Sequence, residues 1–440
     1  MHKTGPKTGP KTGLKTGLKT GPKTGPKTAP VTGISSAIRF EKWKAEGPSA
    51  QIKWVLKAPP VTLSAHQRLI SRIEFAVDGK EAEKRRGRGE LVIFVELTDA
   101  ASHRWRTHEV FDLTRVPEGA KTGRILFSQV AFVLPGDYKL ALAVCDSHTQ
   151  EHSFLERTVH VAPLRGDPLP DAWRDLPAVE FVRVLEPPDN WFQPYIRGRL
   201  RLAASTRHPV HLDIIVNMPP SERAAGSRRV FRRNMSVLLP SLKVLAGINL
   251  TETESQVDVT VLDLTTRRVW EQGITTRITT QPPRPLNWQK MRTPFSSSNP
   301  GIIDAQSLAG KAEMLRFFRD QVTEKLNAHF DGDGDKAPLR AVIVLSAPVF
   351  LEQQYKVETA RLGKDPNRRL YYLRYRPLPP VRLNFDSGDG SAEPLAMARA
   401  MPADNMEHIV KALAGRLFSV QNPAEFRKAL ATILAELSRL

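Results

Sequence analysis

A histidine–glutamate motif is the first group of residues in this chain that could perform catalysis. His148, Glu151 and His152 match the inverted zinc-protease signature, in which two imidazoles bind zinc beside a glutamate and a water molecule. That chemistry needs a helix, because a helix places both imidazoles on one side. Here the motif follows the strand-like run 140–145. We therefore predict a turn between two strands and no zinc enzyme.

Two acidic loops could bind calcium. In the run 331–335 aspartate alternates with glycine, but an EF-hand loop needs glycine at its sixth position and glutamate at its twelfth. The chain has Lys336 and Val342 there, so we predict a solvated loop, and the same at 386–390. Glycine-rich phosphate-binding and nucleophile-elbow motifs are absent from the sequence. We expect no enzyme and no cofactor, with a hydrolase of scattered active-site residues as a less favoured alternative.

The charge of the chain favours acidic partners. The formal net charge is +19, and seven lysines within the first 27 residues leave +12 for the rest. Such charge attracts polyanions at long range but does not identify them. The densest basic cluster outside the N-terminal tail is 85–89, between two predicted strands. Binding of nucleic acid or another polyanion through the tail and the Arg-rich loops is therefore the alternative function.

The N-terminal part is predicted to be a tail followed by strands. Residues 3–30 repeat Lys-Thr-Gly/Ala-Pro/Leu, a low-complexity pattern that prevents regular structure, so 1–34 is expected to be a disordered basic tail. Short runs rich in branched and aromatic residues fill 35–163. The segment 134–140 resembles the tyrosine corner of immunoglobulin-like sandwiches, in which a tyrosine, here Tyr138, bonds back to the backbone. We expect an immunoglobulin-like β-sandwich over 35–163.

A proline-rich linker, 164–197, is predicted to lead into an α/β region, 198–440. Continuous apolar runs such as 341–345 predict strands that are buried on both faces. Asp404 and Glu407 form a capping box before one of the predicted helices. Strands joined by helices predict a doubly wound sheet. The predicted fold class is multidomain, with an N-terminal all-β immunoglobulin-like sandwich and a C-terminal α/β doubly wound domain.

The order of predicted elements after residue 198 looks like that of a von Willebrand factor A (vWA) domain, with a Rossmann-like domain as the structural alternative. The sequence Gly-Arg-Leu-Phe-Ser-Val at 415–420, followed by Asn-Pro-Ala-Glu-Phe at 422–426, is similar to the ending of bacterial VWFA-related domain proteins. This resemblance implies a vWA-like domain with a protein-interaction or adhesion-like function.

The resemblance also implies where a metal-ion-dependent adhesion site (MIDAS) would lie. In vWA domains that bind metal, the first strand ends in Asp-x-Ser-x-Ser and an aspartate follows a later apolar strand. The matching positions here are Asn217 and Ser221, with Pro219 between them, and Ser346. Divalent cations normally need a carboxylate, and strand alternation is expected to turn Asp213 away from the site. We expect a degenerate MIDAS in which Asn217, Ser221 and Ser346 are vestigial and no metal binds.

Together these features predict a non-enzymatic protein-binding module with an unidentified protein partner. No apolar run reaches the length that a membrane span needs, so no transmembrane segment is expected. The first residues lack the apolar core of a secretory signal peptide. The compartment stays open, because the protein would be extracytoplasmic if its true start lies elsewhere.

Overall fold

The computed structural model describes residues 33–57, 60–116, 118–119, 123–182, 196–218, 225–252, 254–264, 267–274, 286–288, 310–328, 338–349, 365, 367–376 and 404–439. The chain divides into two compact units, Met1–Pro48 and Ser49–Leu440. The described part of the first unit contains helix α1 (Gly33–Glu46). Gly47 ends this helix with a φ of +85° and donates its N–H to the Trp43 carbonyl at 3.1 Å. The repeats at 3–30 lie outside the described residues.

The second unit contains the strands and the remaining helices. Its strands are β1 (Ser49–Ala50), β2 (Trp54–Lys57), β3 (Thr62–Leu63), β4 (Leu69–Asp78), β5 (Glu90–Asp99), β6 (Arg104–Asp112), β7 (Arg124–Val133), β8 (Gly136–Asp146), β9 (His152–Val161), β10 (Val179–Val182), β11 (Leu202–Ala204), β12 (Val210–Met218), β13 (Ile248–Leu250), β14 (Gln256–Asp263), β15 (Arg268–Ile274), β16 (Leu339–Ser346), β17 (Arg368–Tyr375) and β18 (Arg416–Val420). Its helices are α2 (Gly79–Lys84), α3 (Ala225–Leu245), α4 (Lys311–Asn327), α5 (Asn405–Ala412) and α6 (Pro423–Leu437).

Two antiparallel sheets form the first part of this unit. One has the order β1-β9-β8-β5-β6, and the other has the order β10-β7-β4-β2 with β3 also paired to β4. Strand alternation sends apolar side chains of both sheets into one core, where the rings of Phe75 and Phe127 stack 5.0 Å apart. The Tyr138 hydroxyl donates to the Leu134 carbonyl at 2.9 Å. The backward hydrogen bond expected from the segment 134–140 is therefore present.

A six-stranded sheet, β15-β14-β12-β16-β17-β18, forms the second part. Its neighbouring strands are parallel except for the antiparallel pair β14–β15. Apolar residues of α3 and α6 pack on one face of the sheet, and those of α4 and α5 pack on the other. Asn422 caps α6 by accepting the Glu425 N–H at 3.0 Å, with Pro423 at the first helical position. β11 and β13 form a separate parallel pair.

The fold class predicted from the sequence is wrong. Among the described residues there are eighteen strands and six α-helices, and antiparallel pairing joins every strand of the first two sheets as well as β14 to β15. β13 and β15 were not predicted from the sequence. β13 is only three residues long, and the residues just before β15 include none of the glycine, proline or asparagine that usually indicate a turn. The chain is mostly β-sheet, and we do not retain an immunoglobulin-like sandwich followed by a doubly wound domain. The predicted boundaries at 34, 163 and 197 stay predictions.

A buried ion pair ties α6 to the segment between β9 and β10. Arg427 is 2% exposed, and its Nε and Nη2 lie 2.6 and 2.7 Å from the two carboxylate oxygens of Asp167. Arg427 Nη2 also donates to the Leu169 carbonyl at 2.8 Å, and its guanidinium lies 4.7 Å from the centre of the Trp173 ring. Trp173 in turn donates to the Gln67 carbonyl at 2.7 Å. We call these groups the Arg427 clamp.

Among the described residues, none of the helices combines the length and the apolar character needed to cross a bilayer.

Candidate functional site

Two of the predicted site residues meet at the carboxyl edge of the six-stranded sheet. Asn217 lies near the end of β12 and Ser346 ends β16, and these parallel strands are neighbours. Asn217 Nδ2 donates to Ser346 Oγ at 2.8 Å, and both side chains are buried. Ser221, the third predicted position, lies outside the described residues. Since the carboxyl ends of parallel strands are a common place for ligand sites, this edge is the candidate site.

Ser346 is held by groups of the protein itself. Its hydroxyl donates to the Ala347 carbonyl at 2.5 Å and lies 3.6 Å from the sulfur of Met406. Asn217 Nδ2 lies 3.8 Å from the same sulfur. Met406 belongs to α5, so the helix closes over the amide and the hydroxyl from the side.

A tyrosine and a carboxylate complete the site, and the sequence did not predict either of them there. The Tyr372 hydroxyl donates to Asp404 Oδ2 at 2.8 Å. Asp404 Oδ1 accepts the N–H groups of Val349 and Met406 at 3.1 and 3.2 Å. Burial raises the pKa of the Asp404 carboxyl, and burial followed by the nearby Asp404 charge raises the pKa of Tyr372. The available signal was the N-cap pattern at Asp404, which the structure confirms.

The capping box predicted around Asp404 is only half formed. Asp404 caps α5 through the Met406 N–H, as expected. Glu407 instead pairs with Arg374 of β17 and, at 2.6 Å, with Lys411 one turn further along α5. The first turn of α5 is therefore anchored to the sheet by a side-chain ion pair.

The described residues at this edge do not fit a divalent cation. Asn217 turns its amide nitrogen toward Ser346, and both oxygens of Asp404 already accept hydrogen bonds. Among the described residues, Asn217 Oδ1 accepts no hydrogen bond and could offer one ligand, but no group of three histidine, cysteine or acidic side chains could hold a metal. Hard cations need several oxygen ligands with free lone pairs. We derive no chemistry through a metal here.

The expectation that strand alternation turns Asp213 away from the site was wrong. Residues 213 and 217 are separated by an even number, so their side chains share one face of β12, the face covered by α4 and α5. Asp213 nevertheless lies about 13 Å further back along the strand, at roughly 3.3 Å per residue. It is too far from Asn217 to supply the missing carboxylate.

A separate buried charge network lies on that face, toward the amino end of the sheet. Asp213 Oδ1 is 3.2 Å from Lys325 Nζ of α4, and Asp258 is the register partner of Asp213 on β14. Burial raises the pKa of Asp213 to about 6, with Lys325 opposing the shift and Asp258 adding to it. Burial, helped by the charge of Arg340, lowers the pKa of His211 to about 4. These groups anchor α4 to the sheet.

His148 and Glu151 of the histidine–glutamate motif lie in a turn between β8 and β9, as predicted, and His152 is the first residue of β9. Glu151 pairs with Arg85, which also pairs with Glu81 and lies 3.3 Å from Asp146. The motif therefore contributes to a buried ion network.

The same contacts bear on the basic cluster at 85–89. Arg85 is 3% exposed in its side chain and is surrounded by acids. Arg86 lies 3.5 Å from Glu83 and 3.6 Å from Glu118. Two of the three arginines of this loop thus already have acidic partners within the protein.

Comparison with known proteins identifies no family. Neither the protein-family models nor the curated proteins give a match to this chain. Two crystal structures of the β-glucuronidase of Parabacteroides merdae, one with glycerol in its active site, are similar at 10% identity with TM-scores of 0.17 and 0.18. The matches cover 69% and 68% of this chain but 37% and 35% of those chains. A likeness at such low TM-scores carries no argument about fold or function.

Proposed function

We propose that this chain is a non-enzymatic protein-binding module that works without a metal ion. The observation that supports this most is the hydrogen bonding at the carboxyl edge, where Asn217 Nδ2 donates to Ser346 and Tyr372 donates to Asp404, while Asn217 Oδ1 has no donor among the described residues. Groups that satisfy one another inside the protein are poor candidates for metal ligands or for acid–base catalysis. The degenerate MIDAS and the kinship with VWFA-related proteins, both inferred from the sequence, are part of this proposal.

Calorimetric titration with Mg²⁺, Mn²⁺ and Ca²⁺ tests the metal-independent part. We expect no binding to the wild-type chain. Micromolar binding that is abolished by Ser221→Ala or Ser346→Ala would overturn the proposal. Ser419→Ala is the matched control, because Ser419 is exposed on β18 and has no place in the network.

Screening the purified chain against an array of purified bacterial proteins tests the binding part. We expect saturable binding to at least one immobilised protein, and we expect it to survive an excess of EDTA. Binding that EDTA removes, or no saturable binding to any protein, would count against the proposal.

Polyanion binding is the second candidate, because the net charge of +19 favours it. The pairing of Arg85 and Arg86 with acids argues against the Arg-rich loop as the contact and leaves the tail as the main candidate. A gel-shift titration with duplex DNA at several salt concentrations tests it, because each released counterion steepens the salt dependence. Deletion of residues 1–34 should flatten that dependence, and an unchanged slope would exclude the tail.

A further inference from the structure

We propose that the open edge of β18 is a docking site for an extended, acidic segment of a partner protein. The inference rests on the proposed protein-binding function and specifies the surface and the kind of partner. Among the described residues, β18 is the last strand of the six-stranded sheet and pairs on one side, with β17. An extended segment that added to its other side would become a seventh strand, as in other cases of recognition by strand addition.

The pairing pattern shows which main-chain groups of β18 face the open side. Arg376 donates its N–H to the Val420 carbonyl at 2.8 Å, so the main-chain groups of Val420 point toward β17. In a strand the N–H and C=O of one residue share a side, and the side alternates from residue to residue. The groups of residues 416 and 418 therefore also point toward β17. Those of Leu417 and Ser419 point away from it.

These outward groups have no partner in the part of the chain that the structure describes. Among the described residues, no main-chain or side-chain group bonds to the N–H or C=O of Leu417 or Ser419. Ser419 is exposed and Leu417 is half-buried, so the edge is accessible to another chain. Natural sheet edges are commonly blunted by proline, lysine or a bulge. The five residues of β18 contain no proline or lysine and pair with β17 without a register shift.

The side chains beside this edge offer a surface as well as main-chain groups. The Arg416 guanidinium lies 4.9 Å from the centre of the Phe418 ring and pairs with Glu436 of α6. Phe418 is half-buried and its ring lies 6.3 Å from that of Tyr371. A strand added about 4.8 Å from β18 would place alternate side chains beside Phe418 and Arg416. Apolar and acidic side chains suit those two positions.

The net charge of this chain distinguishes between two occupants of the edge, a second copy of the chain and an acidic segment of another protein. A second copy of this chain would bring two molecules of net charge +19 together, and their long-range repulsion opposes that. Without the seven lysines of the first 27 residues, each copy still carries +12. The same field attracts an acidic segment; Arg416 on the edge is 54% exposed in its side chain but already pairs with Glu436, so the attraction comes from the net charge of the chain. We therefore assign the edge to an acidic segment of another protein.

Fluorescence anisotropy with short labelled peptides tests the assignment on the full chain. The probe is a short peptide with valine at every second position and threonine or glutamate at the positions between. A control peptide has the same sequence with lysine in place of each glutamate. We expect saturable binding of the acidic peptide and at least about tenfold weaker binding of the basic one, since about 1.4 kcal/mol separates them at that ratio. No saturable binding of the acidic peptide, or equal binding of both, would overturn the assignment.

Backbone methylation of the peptide tests strand pairing without altering the protein. Methyl groups on alternate amides block one hydrogen-bonding edge of the peptide and leave the other intact. We expect one of the two methylated peptides to lose at least about tenfold in affinity, because several main-chain hydrogen bonds are lost together, and the other to bind normally. Equal affinities of the two methylated peptides would exclude pairing through the main chain.

A matched pair of variants locates the site on β18. Ser419→Pro removes the outward N–H, while Ser419→Ala keeps it, and proline is tolerated where a strand N–H faces solvent. With circular dichroism confirming that both variants are folded, we expect peptide binding to be lost only in Ser419→Pro. Equal effects of the two variants would overturn the site, as would a dimer in sedimentation that only Ser419→Pro removes. EDTA-resistant binding on the protein array that survives Ser419→Pro would leave the proposed function standing while this site fails.

Discussion

Two titratable side chains of β12 are expected to oppose each other in the pH dependence of stability. Burial raises the pKa of Asp213 to about 6, above its unfolded value of roughly 3.9. The folded state therefore holds the extra proton between about pH 4 and pH 6, and stability from Asp213 is lost as the pH rises through that window. Burial lowers the pKa of His211 to about 4, below its unfolded value of roughly 6.5. There the unfolded state holds the extra proton, so stability from His211 increases as the pH rises.

Single substitutions should separate the two contributions. Near pH 5 the folded pair and the unfolded pair each bind about one proton, so together they add almost no slope in the wild-type chain. Asp213→Asn leaves the histidine contribution, and the unfolding free energy should then rise by about 1 kcal/mol per pH unit relative to wild type. His211→Gln should produce a fall of about the same size. Near pH 5 the folded Asp213 carboxyl is mostly protonated, so the substitution removes little of the charge attraction to Lys325 in this range.

Urea unfolding followed by circular dichroism, between about pH 4.5 and pH 5.5 at constant ionic strength, measures these slopes, since midpoint shifts convert to free energy through the m-value. His208→Gln removes an exposed imidazole three residues before His211 and is the matched control, expected to follow wild type. Curves for Asp213→Asn and His211→Gln that run parallel to wild type would refute the reasoning.

Three further outcomes are expected from the same unfolding assay. Arg427→Met should lower the free energy of unfolding by about 3–5 kcal/mol, because it leaves the largely buried Asp167 carboxylate without its cation. Lys428→Met, at the next and exposed position, should lower it by less than about 0.5 kcal/mol. Similar losses for both variants would contradict the Arg427 clamp. Ser346→Ala should lower the free energy of unfolding by about 1–3 kcal/mol, because the buried Asn217 amide loses its acceptor. A loss as small as that of Ser419→Ala would show that the network contributes little to stability. Tyr138→Phe should cost about 1 kcal/mol through the lost bond to Leu134, and an unchanged midpoint would show that water replaces it.

Local features were predictable from the sequence where one short segment determines them. The backward bond of Tyr138, the turn at 148–151 and the cap at Asp404 all depend on residues within a few positions of each other. The balance of the whole fold was not predictable in this way. β13 and β15 form because a neighbouring strand offers a place to pair, which their own residues do not encode.

The candidate site also combines features that were predictable from the sequence with contacts that were not. Asn217 and Ser346 each end an apolar strand, and the resemblance to vWA domains was sufficient to expect them to be close together. Met406 comes 60 residues after Ser346 in the chain, and nothing in the sequence between them indicates the contact. The error about Asp213 has a simpler origin, because counting residues along β12 gives the correct face.

The Arg427 clamp sets an order of events during synthesis. Asp167 and Arg427 are 260 residues apart. At about 5–20 residues per second, roughly 13–52 s pass between the emergence of the carboxylate and that of its cation. During that interval the Asp167 carboxylate and one face of the Trp173 ring lack the Arg427 guanidinium that later packs against them. A nascent chain stalled before α6 should therefore be a good substrate for chaperones, even though both antiparallel sheets have already been translated.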